Sequence, residues 1–306
     1  MQDFSDHSAL TNSKKPADLK GRTTGVQPSQ NFGRLHMPAP VFALNHMVAP
    51  RLPLPAFIET AKALGIDRIE IRNDLDGNAI LDGTPPETVR RLAADAGIEI
   101  ISINALQRFN EWTPARAKEA EELAAYAAAC GAKALVLVPV NDGSGKLEGE
   151  RQGNLRIALK GLMPILERHG IIGLVEPLGF QICSLRSKRE AAAAIAAIGG
   201  EGRFKLVHDT FHHVLAGEPD LLADRTGLVH ISGVEDQAVS IDDMRDPHRV
   251  MVGGKDRLDN IGQIRALIAA GYDGPFSFEP FAAGVHAHAA PASMIRESMD
   301  HITRTL

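Results

Sequence analysis

Residues 206–213 read LVHDTFHH, a short apolar run that ends on an aspartate and is followed at once by two histidines. A buried strand is expected to end at this point. Asp209 is then either the N-cap of the next helix, a common role for Asp at a strand-to-helix turn, or a side chain delivered to a site with His212. The rest of the chain bears on that choice.

Apolar runs of the same length recur after residue 36: VFALNHM, RIEIRND, IEIISINAL, KALVLVPV, IIGLVEP, FKLVHD, GLVHISG and PFSFEP. Between them lie segments with apolar residues spaced by three and four, such as PAFIETAKALG, PPETVRRLAADAG, TPARAKEAEELAAYAAACG and NIGQIRALIAAG. That spacing is helical. These segments begin near Pro, Thr or Asn and stop at Gly, as helix caps require. The strands are almost continuously apolar, as parallel strands covered by helices must be. Eight strand-helix units predict a single α/β domain, a (β/α)8 TIM barrel over residues 37–306. Residues 1–36, rich in Ser, Asp, Lys, Asn, Gln and Gly, read as a disordered or loosely docked N-terminal arm. An open doubly wound sheet would need a nucleotide-binding turn after an early strand. DGSGK fails as a phosphate loop because Val140 stands where the first Gly is needed and Leu147 follows Lys146 in place of Ser or Thr.

Composition narrows the function. With 44% hydrophobic residues the 306-residue chain can bury a large core. A formal net charge of −5, with no run of Lys and Arg, argues against nucleic acid as partner. There is no apolar stretch of membrane-spanning length and no signal-peptide pattern, so no membrane partner is expected. Only Cys130 and Cys183 occur, which excludes a disulfide framework and leads us to expect a cytoplasmic protein. Self-association into a homo-oligomer is left open. Small-molecule chemistry fits this profile.

In a TIM barrel that chemistry lies at the C-terminal strand ends. Strand five ends at Glu176, strand six at Asp209, strand seven at His230 and strand eight at Glu279. Three carboxylates converging on one mouth repel unless a positive charge sits among them. One divalent cation, Mn, Mg, Co or Zn, is the simplest counter-charge for three oxygen donors and one nitrogen. Each residue also has a plain alternative: a strand-end carboxylate paired with Arg for the glutamates, a cap for Asp209, a buried structural imidazole for His230.

The same pattern, with DTFHH after strand six, resembles the xylose isomerase-like barrel superfamily. Within it IDRIEIR, SINAL, LVLVPV, GFQICSL, LVHDTFHHVLAG and HRVMVGGKDRLDNIGQIRALIAAGY are similar to the inosose (2-keto-myo-inositol) isomerases. The resemblance covers roughly residues 38 to 300, and the arm has no counterpart in it. It implies Glu176, Asp209, His230 and Glu279 as metal ligands, the two glutamates also as the acid/base pair, and His212 as a substrate-contacting catalytic residue. The implied reaction moves a carbonyl to the adjacent carbon of a small polyol ketone or sugar through a cis-enediolate.

Arg72 at the end of strand two, Asn104 in strand three, Gln181 in GFQICSL and Arg249 after strand seven are candidate substrate contacts; structural hydrogen bonding is the alternative for each. The acidic segment VEDQAVSIDDMRDPHR is a candidate lid, with a solvated loop as its plain reading. His286 and His288 read as surface residues. Hydroxypyruvate isomerase, ketose 3-epimerase and inosose dehydratase remain alternatives. For the epimerase, Ile182 and Asp236 stand where that pattern carries an acidic residue and an Arg. An abasic-site endonuclease would need His where Arg72 and Asn104 stand. A sugar-binding barrel without turnover is the remaining class.

Overall fold

Strand-length apolar runs joined by capped amphipathic segments do close on themselves. In a computed structural model, which describes residues 38–306, eight parallel strands form a closed barrel in sequence order. They are β1 (Val41–Asn45), β2 (Arg68–Arg72), β3 (Glu99–Gln107), β4 (Ala134–Val138), β5 (Ile172–Val175), β6 (Phe204–Asp209), β7 (Thr226–Ile231) and β8 (Pro275–Phe278). β8 pairs with β1 from Val41 opposite Pro275 to Leu44 opposite Phe278, which removes both sheet edges. The arm expected over residues 1–36 lies outside the described residues.

The outer layer holds α1 (Leu54–Leu64), α2 (Pro86–Ala96), α3 (Pro114–Cys130), α4 (Glu150–His169), α5 (Lys188–Ala197), α6 (Thr210–Ala216), α7 (Asn260–Ala269), α8 (Ala283–His286) and α9 (Pro291–Thr305). Local chemistry sets their limits. Thr113 caps α3 by accepting from the Arg116 amide at 3.1 Å, and Gly131 ends it at φ +85°, a left-handed conformation that a side chain would strain. Among the described residues no helix is long and apolar enough to cross a membrane.

The main core fills the space between barrel and helices, with Phe57, Ile69, Ile103, Leu135, Leu159 and Phe276 at or near zero exposure. The barrel interior is divided. On the β4 to β7 side it is apolar, filled by Ala134, Val136, Leu174, Val207 and Leu228. On the β8, β1, β2 and β3 side the buried residues include Asn45, Glu70, Ser102, Asn104 and Ser277. The candidate site sits above both halves.

Candidate metal centre

Side chains two apart on a strand point the same way. Glu176 stands two beyond Leu174, Asp209 two beyond Val207 and His230 two beyond Leu228, so each continues the inward face of its strand. Glu279 likewise stands two beyond Ser277. All four are buried, and one donor atom from each lies within 4.8 Å of the others. The structure thus brings together the four strand-end residues that the sequence singled out.

Asp209 occupies both roles left open by the sequence. Its Oδ1 accepts from the amides of Phe211 at 2.7 Å and His212 at 3.1 Å, capping α6. Its Oδ2 faces the mouth, where Arg249 Nη2 donates to it at 2.6 Å. The cap is what aims the second oxygen. Gly179 allows α6 to come this close: a Cβ there would fall 2.4 Å from the His212 carbonyl oxygen.

His230 is held from both ring edges. Nδ1 lies 2.9 Å from Glu176 Oε1 and 3.3 Å from Glu279 Oε2. Nε2 lies 3.1 Å from Glu70 Oε1 and 3.2 Å from Glu70 Oε2. Burial works against a charged imidazole, but Glu279, Glu70 and Glu176 outweigh it and raise His230 well above its ordinary value. Glu176 moves the other way from a free carboxylate. Burial raises it, His230 opposes, and the charges of Glu279 and Asp209 add to the rise. Asp209 is held low because Arg249, His212 and His230 together outweigh its burial.

These residues fit a divalent cation. Three buried carboxylates and an imidazole converge within ligand range, and the positive groups already drawn to them mark a strongly negative focus. Glu176, Asp209, His230 and Glu279 would hold the ion, with one nitrogen and three oxygens.

Above them opens a cavity of about 230 Å³ lined in part by Arg72, Asn104, Glu176, His212, Arg249 and Glu279. Arg72 donates to Glu279 Oε1 at 2.9 Å and grips Asp74 with two bonds of 2.7 Å. Arg249, expected in a loop, is buried: besides Asp209 it reaches Glu279 Oε2 at 3.1 Å and Ser232 Oγ at 2.9 Å, with its guanidinium 4.7 Å from the Phe281 ring centroid. His212 is buried between the rings of Phe180 and Phe211, and its Nδ1 has no partner among the described residues. Asn104 borders the cavity but turns its amide to Glu70 Oε2 at 2.6 Å. Gln181 does not line the cavity; it is exposed, and its backbone oxygen accepts from Lys146 Nζ at 2.5 Å. The expected lid forms short turns at Ile241–Asp243 and Asp246–His248, buries Val234 and Met244, and brings Asp246 to the cavity rim. His286 bonds the Pro280 oxygen at 3.0 Å, and His288 is exposed.

Glu70 was not singled out by the sequence reading. Its signal is a charged residue in the middle of an apolar strand, between Ile69 and Ile71, on the same face as Arg72.

The sequence profile of the xylose isomerase-like TIM barrel family matches residues 58–305. The chain belongs to this family. A xylose isomerase domain-containing protein of Salmonella typhimurium LT2 is 35% identical, with a TM-score of 0.79 over 89% of this chain and 97% of that one. An IolI protein with a bound zinc atom is 20% identical, covers 87% of this chain and 99% of its own, and shares the fold at a TM-score of 0.78. Among curated proteins, a 3-dehydroshikimate dehydratase of Pseudomonas aeruginosa is 27% identical over 254 residues, 79% of this chain. The chain spans only 38% of that relative's length. The cluster of Glu176, Asp209, His230 and Glu279 that could hold a metal ion therefore sits on a xylose isomerase-like barrel.

Proposed function

We propose that this xylose isomerase-like barrel is a divalent-cation-dependent isomerase that moves a carbonyl between adjacent carbons of a small polyol ketone. Our specific reading is 2-keto-myo-inositol to 1-keto-D-chiro-inositol. The observation that carries the proposal is the buried Glu176, Asp209, His230 and Glu279 constellation at the floor of the cavity.

A bound cation supplies Lewis-acid stabilisation of the negative charge that builds on oxygen when a proton leaves the neighbouring carbon. Glu176 and Glu279 are the acid/base pair. A carboxylate oxygen of one takes the C–H proton from the hydroxyl-bearing carbon, leaving a cis-enediolate. A proton then returns to the former carbonyl carbon, while the hydroxyl proton moves from one substrate oxygen to the other, so atoms balance. Positioned acid/base groups contribute about 10²- to 10⁴-fold. His212, which lines the cavity, donates to or accepts from a substrate hydroxyl. Burial lowers His212, which keeps it neutral and able to do either.

Charge favours a neutral substrate. Among the described residues lining the cavity the cations are Arg72 and Arg249, and both are engaged by carboxylates: Arg72 by Glu279 and Asp74, Arg249 by Asp209, Glu279 and Asp246. The lining holds four carboxylates, Asp74, Glu176, Asp246 and Glu279, with Asp209 beside them, against these two guanidiniums, so negative charge outweighs positive even with one divalent cation bound. A polyol ketone therefore suits the cavity better than an acid such as 3-dehydroshikimate, the compound in the name of the Pseudomonas relative. Its volume of about 230 Å³ suits a six-carbon ring.

The test is NMR of 2-keto-myo-inositol in D₂O with the protein loaded in turn with Mn, Co, Zn or Mg, comparing the wild type with Glu279→Gln. Expected are a moved carbonyl and deuterium on the adjacent carbon, both lost in the variant. No product and no exchange with any ion overturns the proposal, as does full activity in Glu279→Gln. A diketone product would mean dehydration, and an unmoved carbonyl with inverted hydroxyl would mean epimerisation.

A further inference from the structure

Beneath His230, on the side away from the ligand cluster, lies a carboxylate that the proposed chemistry does not use. Glu70 is wholly buried in the middle of β2 and accepts from side chains on four other strands. Ser277 Oγ and Asn45 Nδ2 reach Oε1 at 2.5 and 3.4 Å, and Ser102 Oγ and Asn104 Nδ2 reach Oε2 at 2.5 and 2.6 Å. His230 Nε2 is near-equidistant from both oxygens, at 3.1 and 3.2 Å. A carboxyl group in this place is costly unless its charge does something. The β4 to β7 half of the same interior is filled by Ala, Val and Leu, so packing alone does not call for an acid.

We infer that Glu70 is a positioning residue for the metal centre: it pins the His230 proton on Nε2, fixes the ring plane and leaves the Nδ1 lone pair directed at the ion. The inference rests on reading the cluster as a metal site. Four donors converge on Glu70, so its oxygens can only accept, and the fifth contact, Nε2, must donate. An imidazole that donates through Nε2 presents Nδ1, the nitrogen that already faces Glu176 and Glu279. A carboxylate partner also raises the electron density of the ring as a ligand.

Glu70→Gln makes the inference testable without a volume change. The shorter donor contact is that of Asn104 Nδ2, so the new amide oxygen takes the Oε2 place, 3.2 Å from His230 Nε2, and the amide nitrogen takes the Oε1 place, 3.1 Å from the same atom. Nε2 then faces one neutral acceptor and one competing donor in place of two carboxylate oxygens, which weakens the hold on the Nε2 proton and withdraws the charge that enriches the ring as a ligand. The experiment is titration of the wild-type and variant proteins with Co²⁺ and Zn²⁺ by calorimetry, with the visible spectrum of the Co²⁺ form as a second readout. Expected is a 10- to 100-fold loss of affinity and an altered Co²⁺ spectrum in Glu70→Gln. Ser277→Ala, which removes one donor and keeps the charge, should stay within about threefold of the wild type by the same reasoning. Equal affinity and spectrum in Glu70→Gln overturn the inference, as does an equal loss in Ser277→Ala. If the Gln variant fails to fold, ¹⁵N-histidine NMR of the Zn²⁺-loaded wild type decides the matter. The ¹⁵N signals of His230, assigned against His230→Gln, must show a protonated Nε2 and a zinc-bound Nδ1; the reverse arrangement refutes the assignment. None of these readouts needs substrate. Failure of the isomerase reading shows in the substrate NMR alone, while a wild type that binds neither ion removes the centre that Glu70 is inferred to serve.

Discussion

Replacing Asp209 with Asn separates the two roles of that side chain, because Asn caps a helix about as well as Asp but carries no charge to a cation. The donor atoms of the cluster lie within 4.8 Å of one another. At an effective dielectric constant near 20, each pair of carboxylate charges in that space repels by at least about 3.5 kcal/mol. An ion bound there relieves repulsion that the unfolded chain does not have, so its binding energy appears as folding stability. At a hundredfold excess over its dissociation constant it adds about 2.7 kcal/mol. For a chain of this size that corresponds to a rise in melting temperature of roughly 4–5 °C. The assay is scanning calorimetry after chelation, then with Mn, Co, Zn or Mg restored at saturation. The wild type is expected to gain that increment. Asp209→Asn should keep its helix, since the cap to Phe211 and His212 survives, and lose most of the increment. Equal increments in the two proteins would refute the ligand role, and no increment in the wild type with any ion would refute the centre.

Gly179→Ala should destabilise the chain by about 1–3 kcal/mol in urea melts, because the new Cβ meets the His212 carbonyl oxygen at 2.4 Å and Leu215 Cβ at 2.5 Å. Since α6 carries His212, kcat/KM should fall with it, and an unperturbed variant would refute the close approach. Lys188 is buried against His208, Nζ to Nδ1 at 2.8 Å, and burial lowers it to about 8 from an ordinary 10.5. Lys188 therefore holds its proton more readily in the unfolded chain between pH 8 and 10.5, and its own contribution to stability rises through that window by up to about 3 kcal/mol, against the opposite slope of the buried Cys130 and Cys183 thiols, which burial raises. Lys188→Met should lack this rise, and an identical pH response in urea melts would refute it. His212→Asn should leave the melting temperature in place and cut kcat/KM about tenfold, the cost of one hydrogen bond of about 1.5 kcal/mol. A loss of stability without a loss of turnover would mean a packing role.

The barrel was legible because each of its requirements writes itself locally. Apolar runs mark strands, Pro, Thr and Gly mark the helix limits, and eight repeats leave few alternatives. Glu176, Asp209, His230 and Glu279 were legible for the same reason: a strand end is a position along the chain, and the fold class says where strand ends meet. What stayed hidden depends on directions that sequence spacing does not carry. Arg249 reaches the cluster because Gly233 and Val250 pair as an antiparallel bridge and fold the segment after β7 back over the mouth. Gln181 lies five residues after Glu176, yet its turn faces away from the cavity. Glu70 has the inward parity of Arg72, but its meaning comes from Ser277, Ser102 and His230, which approach it from three other strands.

The divided interior connects these observations. Replacing a buried charge network by apolar side chains of similar volume is often stabilising, and the β4 to β7 half is filled by such side chains. The opposite half keeps Asn45, Glu70, Ser102, Asn104 and Ser277 at or near zero exposure. His230 joins the two, rising from the apolar side behind Leu228 and bonding across the barrel to Glu70. The main core, between strands and helices, contains no member of this polar group. The buried polar half converges on Glu70, the carboxylate that meets His230 Nε2. A chain selected for stability alone would fill that half as it fills the other.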